Sequence, residues 1–363
     1  MPAAKTIVHH KGNGKQQEKK TENTYLNWLV NETKTTWWHD SADPKELQIG
    51  LDRGATGVTT NPVLANSALK GNRESWAEDI NKVLAKNLPT AQKAEALLRI
   101  AVLKTAEKLL PLYKASHGRL GYVCAQVSPL LVGDREGMLA MAKRLNAWAP
   151  NICVKLPASS AGIDVIEQCA AEGISTNSTV SFTLAQLLAV GEQAHAGAVR
   201  ALEHNIKPAK SFATMMIGRL DDYLREVAQD NEAAVQETDI QQAGLAVVKR
   251  AYAIYKERGY ETTLLVAALR GTYHLTELAG GDLVLSVHPS IQEKVLGQEL
   301  PRECGIDKPI ADDAVQRLSL VREFVRAYEP AGLTRAEFVA YGVTQRTISQ
   351  FVETGWKGLE SYK

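Results

Sequence analysis

One lysine, Lys155, lies inside an apolar stretch that reads as a short buried strand, NICVKLPAS at Asn151–Ser159. A buried ammonium group is costly, so such a lysine usually either extends to a surface or takes part in chemistry. Desolvation lowers the pKa of a lysine and leaves the free amine as a nucleophile for a carbonyl carbon. Pairing with a neighbouring carboxylate is the alternative, and this stretch alone does not exclude it.

Other polar residues stand where short apolar or β-branched runs end. They supply a carboxylate, carboxamides, hydroxyls and two arginines, namely Asp40, Asn61, Gln126, Asn177, Thr179, Thr214, Arg219 and Arg270. Structural alternatives exist for several of them: Asp40 as a helix cap, Asn61 as a turn residue before a proline, and Thr179 as a partner of the backbone. Arg219 could pair with Asp221 or Asp222.

The elements that must position these residues alternate between strands and helices. Eight predicted strands cover residues 35–40, 57–62, 120–129, 152–157, 174–180, 211–218, 262–269 and 282–287. Strands that are apolar on both faces and separated by helices indicate a parallel sheet covered by helices. Eight such units predict a single α/β domain, a closed (β/α)₈ TIM barrel, in which the carboxyl ends of the strands carry the active site. No glycine-rich phosphate loop follows any strand.

Regions outside the barrel units are predicted at both ends. Residues 1–22 form a polar tail without the apolar core of a secretory signal, and residues 23–363 form the barrel domain. Amphipathic helices in residues 312–362 are expected to pack over the barrel or a partner subunit, so a homo-oligomer stays an open expectation.

Composition excludes several other classes of protein. The 363 residues carry a formal net charge of +1, which does not favour nucleic acid or an anionic membrane as a partner. No apolar run is long enough to span a membrane. Four cysteines show no metal-ligand spacing, and reduced thiols in a cytoplasmic protein are expected. Anion binding would therefore depend on a few placed arginines.

The residues at the strand ends suit imine chemistry on a polyhydroxylated ketone. A neutral lysine adds to the carbonyl and forms a protonated imine, which withdraws electrons from the adjacent carbon–carbon bond. A carboxylate near that bond accepts the proton of the neighbouring hydroxyl and allows retro-aldol cleavage. Carboxamides and hydroxyls suit the small dihydroxylated fragment, and arginines suit a terminal phosphate.

The chain also resembles a known family, the transaldolases. The resemblance is carried by TTNP at Thr59–Pro62, VKLPAS at Val154–Ser159 and AEGISTNSTVSF at Ala171–Phe182, with IGR at Ile217–Arg219, and covers roughly residues 35–289. It implies a metal-free and cofactor-free barrel enzyme that carries a dihydroxyacetone unit between sugar phosphates.

The same resemblance implies the roles of individual residues. Lys155 would form the imine and Asp40 would be the general base. The dihydroxyacetone hydroxyls would be bound by Asn61, Asn177 and Thr214, which stands where the family usually has serine. Thr179 would help to hold the water used in imine formation, and Arg219 with Arg270 would bind the phosphate.

Two positions depart from the transaldolase pattern. Gln126 stands where many transaldolases have glutamate, and a carboxamide orients water but does not relay a proton as an ionising group does. Glutamine is similar to the fructose-6-phosphate aldolase subgroup, which releases dihydroxyacetone. Met216 replaces the phenylalanine of many transaldolases and the tyrosine of those aldolases.

Three hypotheses therefore follow from the sequence. The leading one is a transaldolase. The second is an imine-forming aldolase that acts without transfer, on a ketose phosphate or a sulfonate-type analogue. The third, motivated by Gln126, is a non-catalytic barrel that binds sugar phosphates, against which Asp40 and Lys155 argue.

Overall fold

Short parallel strands, each followed by helical structure, make up most of the chain. A computed structural model describes residues 24–363, so the predicted tail at residues 1–22 lies outside the described residues. The strands are β1 (Thr36–His39), β2 (Gly57–Val58), β3 (Tyr122–Gln126), β4 (Ile152–Pro157), β5 (Thr176–Thr179), β6 (Ser211–Met216), β7 (Thr263–Ala267) and β8 (Leu283–Val287).

Helices surround these strands and continue beyond them. Up to the end of β8 they are α1 (Tyr25–Glu32), α2 (Pro44–Asp52), α3 (Pro62–Gly71), α4 (Arg73–Leu84), α5 (Thr90–Ala115), α6 (Arg135–Asn146), α7 (Ser160–Ala171), α8 (Leu184–Glu203), α9 (Ile217–Asp230), α10 (Glu237–Arg258) and α11 (Thr272–Leu278). After β8 come α12 (Pro289–Leu296), α13 (Asp312–Leu318), α14 (Arg322–Tyr328), α15 (Gly342–Gln350), a π-helical turn (Phe351–Trp356) and α16 (Lys357–Glu360), with 3₁₀ turns at Pro129–Leu131 and Arg335–Glu337.

The strands close into one barrel in sequence order, β1 to β8. Every neighbouring pair is parallel, and β1 closes the ring by pairing with β8, with Trp37 opposite Leu285. Parallel neighbours need helical crossovers, which is why a helix follows each strand. The prediction of a (β/α)₈ TIM barrel is confirmed.

Polar residues in the loops after five of the strands cap the helices that follow. In the first turns of α2, α3, α6, α7 and α8 a backbone N–H donates to a side-chain oxygen, which belongs to Asp43, Asn61, Asp134, Ser159 and Thr183 respectively. Such caps satisfy backbone donors that have no partner within the helix. Capping therefore accounts for some of the polar residues near the strand ends, and the other polar residues there are available for chemistry.

Large side chains fill the inside of the barrel. The enclosed cluster consists of Trp38, Tyr122, Cys124, Cys153, Phe212, Leu265, Ala267 and Val284. The Trp38 and Phe212 rings lie 4.8 Å apart, centre to centre, and Tyr122 and Phe212 5.8 Å apart. The barrel is thus a packed core rather than a channel.

The opposite face of each strand packs against the helices in a much larger apolar core. The C-terminal helices join this core through Phe324, Tyr341, Phe351 and Trp356, all almost fully buried. The expectation that they pack over the barrel is met within the chain itself. No helix in the described residues is long and apolar enough to cross a membrane.

Candidate active site

Strand alternation directs the predicted residues into the barrel. Because side chains of residues i and i+2 share one face of a strand, a residue two positions beyond an enclosed one also points inward. Asp40 follows Trp38 in this way, Gln126 follows Cys124, Lys155 follows Cys153, and Thr214 follows Phe212. These four side chains therefore meet at the carboxyl end of the barrel.

Lys155 occupies the middle of this polar group. Its side chain is buried, and Nζ donates to the carbonyl oxygen of Thr60 at 3.2 Å. In register, its neighbours on the adjacent strands are Gln126 and Asn177. Within residues 24–363 no carboxylate lies within 4.0 Å of the amine, so the alternative that Lys155 pairs with a carboxylate is wrong for the described chain.

The Asp40 carboxylate is held by a chain of hydroxyl groups. Thr59 Oγ1 donates to Asp40 Oδ1 at 2.7 Å and lies 2.6 Å from Ser286 Oγ. A hydroxyl carries one proton, so the Thr59 proton goes to the carboxylate and Ser286 donates to Thr59. Asp40 is not the cap of the following helix, since Asp43 performs that function. Its carboxylate is left as an oriented, partly buried acceptor at the barrel mouth.

Asn177 and Thr214 form a second buried polar pair. Thr214 Oγ1 donates to Asn177 Oδ1 at 2.6 Å, and Asn177 Nδ2 donates to Cys124 Sγ at 3.2 Å. These two contacts fix the orientation of the amide. The Thr214 oxygen keeps its lone pairs for a further donor. The neighbouring Cys153 thiol stays an apolar filler because burial raises its pKa well above the usual range.

Gln126 carries a buried acceptor without a partner. Its side chain is 2% exposed, and Oε1 makes no hydrogen bond within the described residues. A buried carbonyl oxygen without a partner costs roughly 1–3 kcal/mol, so such a group is expected to accept from a bound water or ligand.

Two further predicted residues have structural partners. Asn61 accepts from Leu64 N at 3.0 Å and caps α3, a structural role that differs from the turn residue named as its alternative, while its Nδ2 donates to no described residue. Thr179 Oγ1 lies 3.9 Å from Met216 Sδ and is fully buried. The hydroxyl does not bond the backbone, so that alternative for Thr179 is wrong within the described residues.

Arg270 lies at the outer edge of the site in an ion pair. Both Nε and Nη2 donate to Asp222 Oδ2, at 2.9 and 2.7 Å. Burial opposes ionisation of Asp222, but the hydrogen bonds from Arg270 and Arg225 hold its pKa below the usual range. A Cβ at Gly218 would lie 2.5 Å from Arg270 Cγ, so the glycine of the IGR motif is what lets this arginine approach α9.

Arg219, in the first turn of α9, has no carboxylate partner in the described chain. The alternative that it pairs with Asp221 or Asp222 is wrong there. Its Nη1 reaches Thr347 Oγ1 at 3.5 Å, and its guanidinium carbon lies 5.8 Å from the centre of the Phe351 ring. Burial lowers the pKa of this guanidinium. It is thus a partly buried cation whose contacts are with uncharged groups.

The sequence did not predict several buried residues that hold the site in place. Gln186 is fully buried, and its Nε2 donates at 3.1 Å to the carbonyl oxygens of Ala158 and Val180. Val180 has φ +56°, a strained conformation for a β-branched residue, directly after Thr179. Gln186 ties the ends of β4 and β5 together at this point. The local signal that could have found it is the spacing of Thr183 and Gln186, a threonine followed three residues later by glutamine at the start of a helix. Only the bond to the Ala158 carbonyl oxygen joins residues distant in sequence.

A second missed support lies behind Arg270. The Arg270 backbone N–H donates to His274 Nδ1 at 3.2 Å, and His274 Nε2 lies 3.3 Å from Asp221 Oδ2. Burial raises the pKa of Asp221, whose other oxygen accepts from Gly244 N. Ser286, which supports Asp40, was not predicted either, although it lies two residues after the enclosed Val284 and so shares its face of β8. No comparable local pattern marks His274 and Asp221.

The arrangement combines a buried amine, an oriented carboxylate, carboxamides and two outer arginines. Within residues 24–363 no group of three metal-ligating side chains is close enough to hold an ion. The groups present are suited to covalent catalysis by the amine, proton transfer by the carboxylate and anion binding by the arginines.

Comparison with known proteins identifies the family. The family model described as Transaldolase/Fructose-6-phosphate aldolase matches residues 37–353. The chain therefore belongs to the transaldolase/fructose-6-phosphate aldolase family, which confirms the resemblance seen in the sequence.

Individual relatives are similar at moderate identity. A transaldolase of Thiobacillus denitrificans is 32% identical over 233 residues, which is 59% of this chain and 61% of that protein. Transaldolase 1 of Streptomyces avermitilis is 31% identical over 61% of each chain. A transaldolase of Neisseria gonorrhoeae is 29% identical over 326 residues, 86% of this chain and 83% of that protein. The matched region thus spans about three-fifths of the length of the first two relatives.

Proposed function

We propose that the protein is a transaldolase that transfers a dihydroxyacetone unit between sugar phosphates through an imine on Lys155. The observation that carries this proposal is the buried Lys155 amine, which has no carboxylate partner in the described residues and lies between two carboxamides in register. A structural lysine at this depth would need a counter-ion, whereas a nucleophilic amine must remain free of one. Family membership and the names of the relatives support the same reaction.

The proposed reaction begins with covalent capture of the ketose. The Lys155 nitrogen adds to the ketone carbon, and the carbinolamine loses water to give a protonated imine. Gln126 Oε1, which has no partner in residues 24–363, and the Thr179 hydroxyl are suited to hold that water. Asn61, Asn177 and Thr214 would bind the hydroxyls of the dihydroxyacetone part.

Cleavage and transfer follow from the position of Asp40. The carboxylate accepts the proton of the hydroxyl on the carbon that leaves, and that oxygen becomes the aldehyde oxygen of the departing aldose phosphate. The electron pair of the broken carbon–carbon bond moves into the imine and gives an enamine on Lys155. An acceptor aldose phosphate then reacts in the reverse direction, with Asp40 returning the proton. Arg219 and Arg270 would bind the phosphate of each sugar in turn.

A second candidate is an aldolase that releases dihydroxyacetone. The observation that favours it is Gln126, because a carboxamide in place of a carboxylate alters how water is handled at the imine. A ketose with a sulfonate in place of the phosphate would use the same arginines. A non-catalytic sugar-phosphate-binding barrel is the third alternative.

Borohydride reduction in the presence of fructose 6-phosphate tests the shared imine step. The expected result is a mass increase on a peptide containing Lys155 and no increase in Lys155→Ala. The variant is expected to stay folded, because truncation also removes a buried amine; its circular dichroism spectrum and melting curve check this. A folded wild type that gives no adduct would exclude both enzymatic candidates and leave the binding barrel.

Acceptor dependence separates the first two candidates. Incubation with fructose 6-phosphate and erythrose 4-phosphate is expected to give a seven-carbon ketose phosphate, with little free dihydroxyacetone when the acceptor is omitted. Steady release of dihydroxyacetone without an acceptor would instead assign the protein as an aldolase.

A further inference from the structure

Arg219 differs from the other site arginine in what surrounds it. Arg270 has a carboxylate partner in Asp222, whereas Arg219 contacts the Thr347 hydroxyl at 3.5 Å and the Phe351 ring at 5.8 Å. Both contacts come from the C-terminal part of the chain, more than a hundred residues away. Within the described residues Asp222 and Asp40 act on Arg219 electrostatically but form no ion pair with it, so the partly buried guanidinium is free to pair with an anionic ligand.

The segment that supplies these contacts crosses the mouth of the barrel. We call residues 342–356, which comprise α15 and the π-helical turn, the crossing helix. At its start Gly342 packs against Tyr223 of α9, which follows β6. Towards its end the Thr354 carbonyl oxygen accepts from Asn66 of α3, which follows β2, at 3.1 Å. In a closed ring of eight strands β2 and β6 stand opposite each other. A helix that contacts both α3, which follows β2, and α9, which follows β6, must therefore cross the carboxyl face.

Local features of the crossing helix keep it close to the barrel. Gly355 lies against the first turn of α3, where a Cβ would be 2.8 Å from Val63 N, so glycine permits the close approach. At the other end Arg346 forms an ion pair with Glu226 and lies over the Tyr223 ring. The π-helical turn begins at Phe351 and interrupts the α-helix where it faces Arg219. Such turns are frequent at functional sites.

We propose that the crossing helix is the roof of the terminal-anion subsite and that Thr347 and Phe351 are positioning residues that aim Arg219 at the ligand. The proposal rests on the proposed function for the identity of the natural ligand, a sugar phosphate, but the anion subsite itself is independent of the aldol chemistry. Thr347 and Phe351 are both 1% exposed, so they are fixed in place. The roof supplies no carboxylate to Arg219, and the guanidinium N–H groups that Thr347 does not use stay available to oxygen atoms of the anion.

Inorganic phosphate is the probe that tests the subsite without substrate turnover. Its dissociation constant is measured by calorimetry for wild type, Arg219→Ala, Thr347→Val and Phe351→Leu. Thr347→Val is expected to raise the constant about threefold to tenfold and Phe351→Leu about threefold, because each removes one contact that orients the cation. Thr347→Ser keeps the hydroxyl and is expected to restore binding.

The chain offers matched controls for both substitutions. Thr344 lies one turn earlier on the same helix, is equally buried, and its hydroxyl has no partner in the described residues. Thr344→Val therefore removes a buried hydroxyl without touching Arg219 and is expected to bind phosphate within about twofold of wild type. Phe338, a buried phenylalanine of the same C-terminal region that makes no cation–π contact to Arg219, provides the control Phe338→Leu.

Kinetics then separate a positioning role from a structural one. With fructose 6-phosphate, Thr347→Val is expected to raise KM by the same factor as the phosphate dissociation constant while kcat changes less. With unphosphorylated fructose neither constant should change.

Several outcomes would overturn the inference. Phosphate binding that is unaffected by Arg219→Ala, equal losses in Thr347→Val and Thr344→Val, or equal effects on both sugars would each do so. Failure of the proposed function would give a different experimental result. Normal phosphate results without any borohydride adduct on Lys155 would leave the roofed anion subsite standing and remove the imine chemistry.

Discussion

The hydroxyl groups that hold Asp40 donate in one direction, from Ser286 to Thr59 and from Thr59 to Asp40, and this direction leads to a testable prediction. Thr59 Oγ1 donates to the carboxylate at 2.7 Å and receives from Ser286 at 2.6 Å, and both hydroxyls are 1% exposed. Replacing Thr59 by valine keeps the shape of the side chain and removes the donor to Asp40. It also leaves the Ser286 proton buried without an acceptor.

The size of the effect follows from these two losses. A hydrogen bond to a charged group contributes about 1.5–3 kcal/mol, and a buried hydroxyl without a partner costs about 1–3 kcal/mol. Thr59→Val is therefore expected to lower the free energy of unfolding by about 2.5–6 kcal/mol. Because the general base is no longer oriented, kcat/KM should fall about tenfold to a hundredfold. Ser286→Ala leaves the donor to Asp40 in place and should cost only about 0.5–1.5 kcal/mol, with a smaller effect on kcat/KM.

Urea denaturation and coupled steady-state assays measure both quantities. Thr59→Ser restores the hydroxyl and should recover most of the activity. Thr105→Val is the control, because Thr105 is a buried threonine whose hydroxyl bonds the Ala101 carbonyl oxygen within α5, remote from the site. Equal losses of kcat/KM in Thr59→Val and Ser286→Ala, or no recovery in Thr59→Ser, would refute the assigned direction of the chain.

Three further predictions concern the outer arginine, the unpaired carboxamide and a buried histidine. Arg270→Ala should raise KM for phosphorylated donors about tenfold or more, and for free sugars much less, in steady-state assays with both, because a charge-assisted contact to phosphate is lost. Gln126→Glu should raise the ratio of transfer to dihydroxyacetone release, measured by product analysis with and without acceptor, because an ionising group is introduced at the imine. Burial lowers the pKa of His39 from 6.5 to about 4. The folded state then binds fewer protons than the unfolded state between these values, so stability should be complete above pH 6.5 and fall by up to about 3 kcal/mol as the pH drops to 4, as followed by denaturation at each pH.

Each of these predictions has a control and a contradicting result. For Arg270, the control is Arg144→Ala, a surface arginine paired with Glu95 away from the site, and equal KM changes for both sugar classes would remove Arg270 from phosphate binding. For Gln126, an unchanged ratio of transfer to release would show that this position does not decide the outcome. For His39, the variant His39→Gln should have a flatter stability profile below pH 6.5, and a profile identical to wild type would assign the acid sensitivity to other groups.

The sequence by itself determined the barrel and the inward-facing residues of its strands. Alternation of eight apolar runs with helices fixes a parallel closed sheet, because parallel neighbours require crossovers and both sheet faces are buried. The period of two then places Asp40, Gln126, Lys155 and Thr214 on the inner face, since this periodicity belongs to the strand itself and is independent of the rest of the chain. The transaldolase motifs lie on these strands and their loops, which is why the family was recognisable.

Only the tertiary structure decided which polar groups that are distant in sequence become partners. Residues distant in sequence meet through the closed ring, so the sequence left open whether Arg219 pairs with Asp221 or Asp222, whereas the fold brings Thr347 and Phe351 to it instead. The same holds for Lys155, which has no carboxylate partner among the described residues because of how the strands around it are arranged. Local periodicity determines the face on which a side chain lies. Hydrogen bonds and ion pairs between residues distant in sequence depend on distances across the barrel, which no local pattern contains.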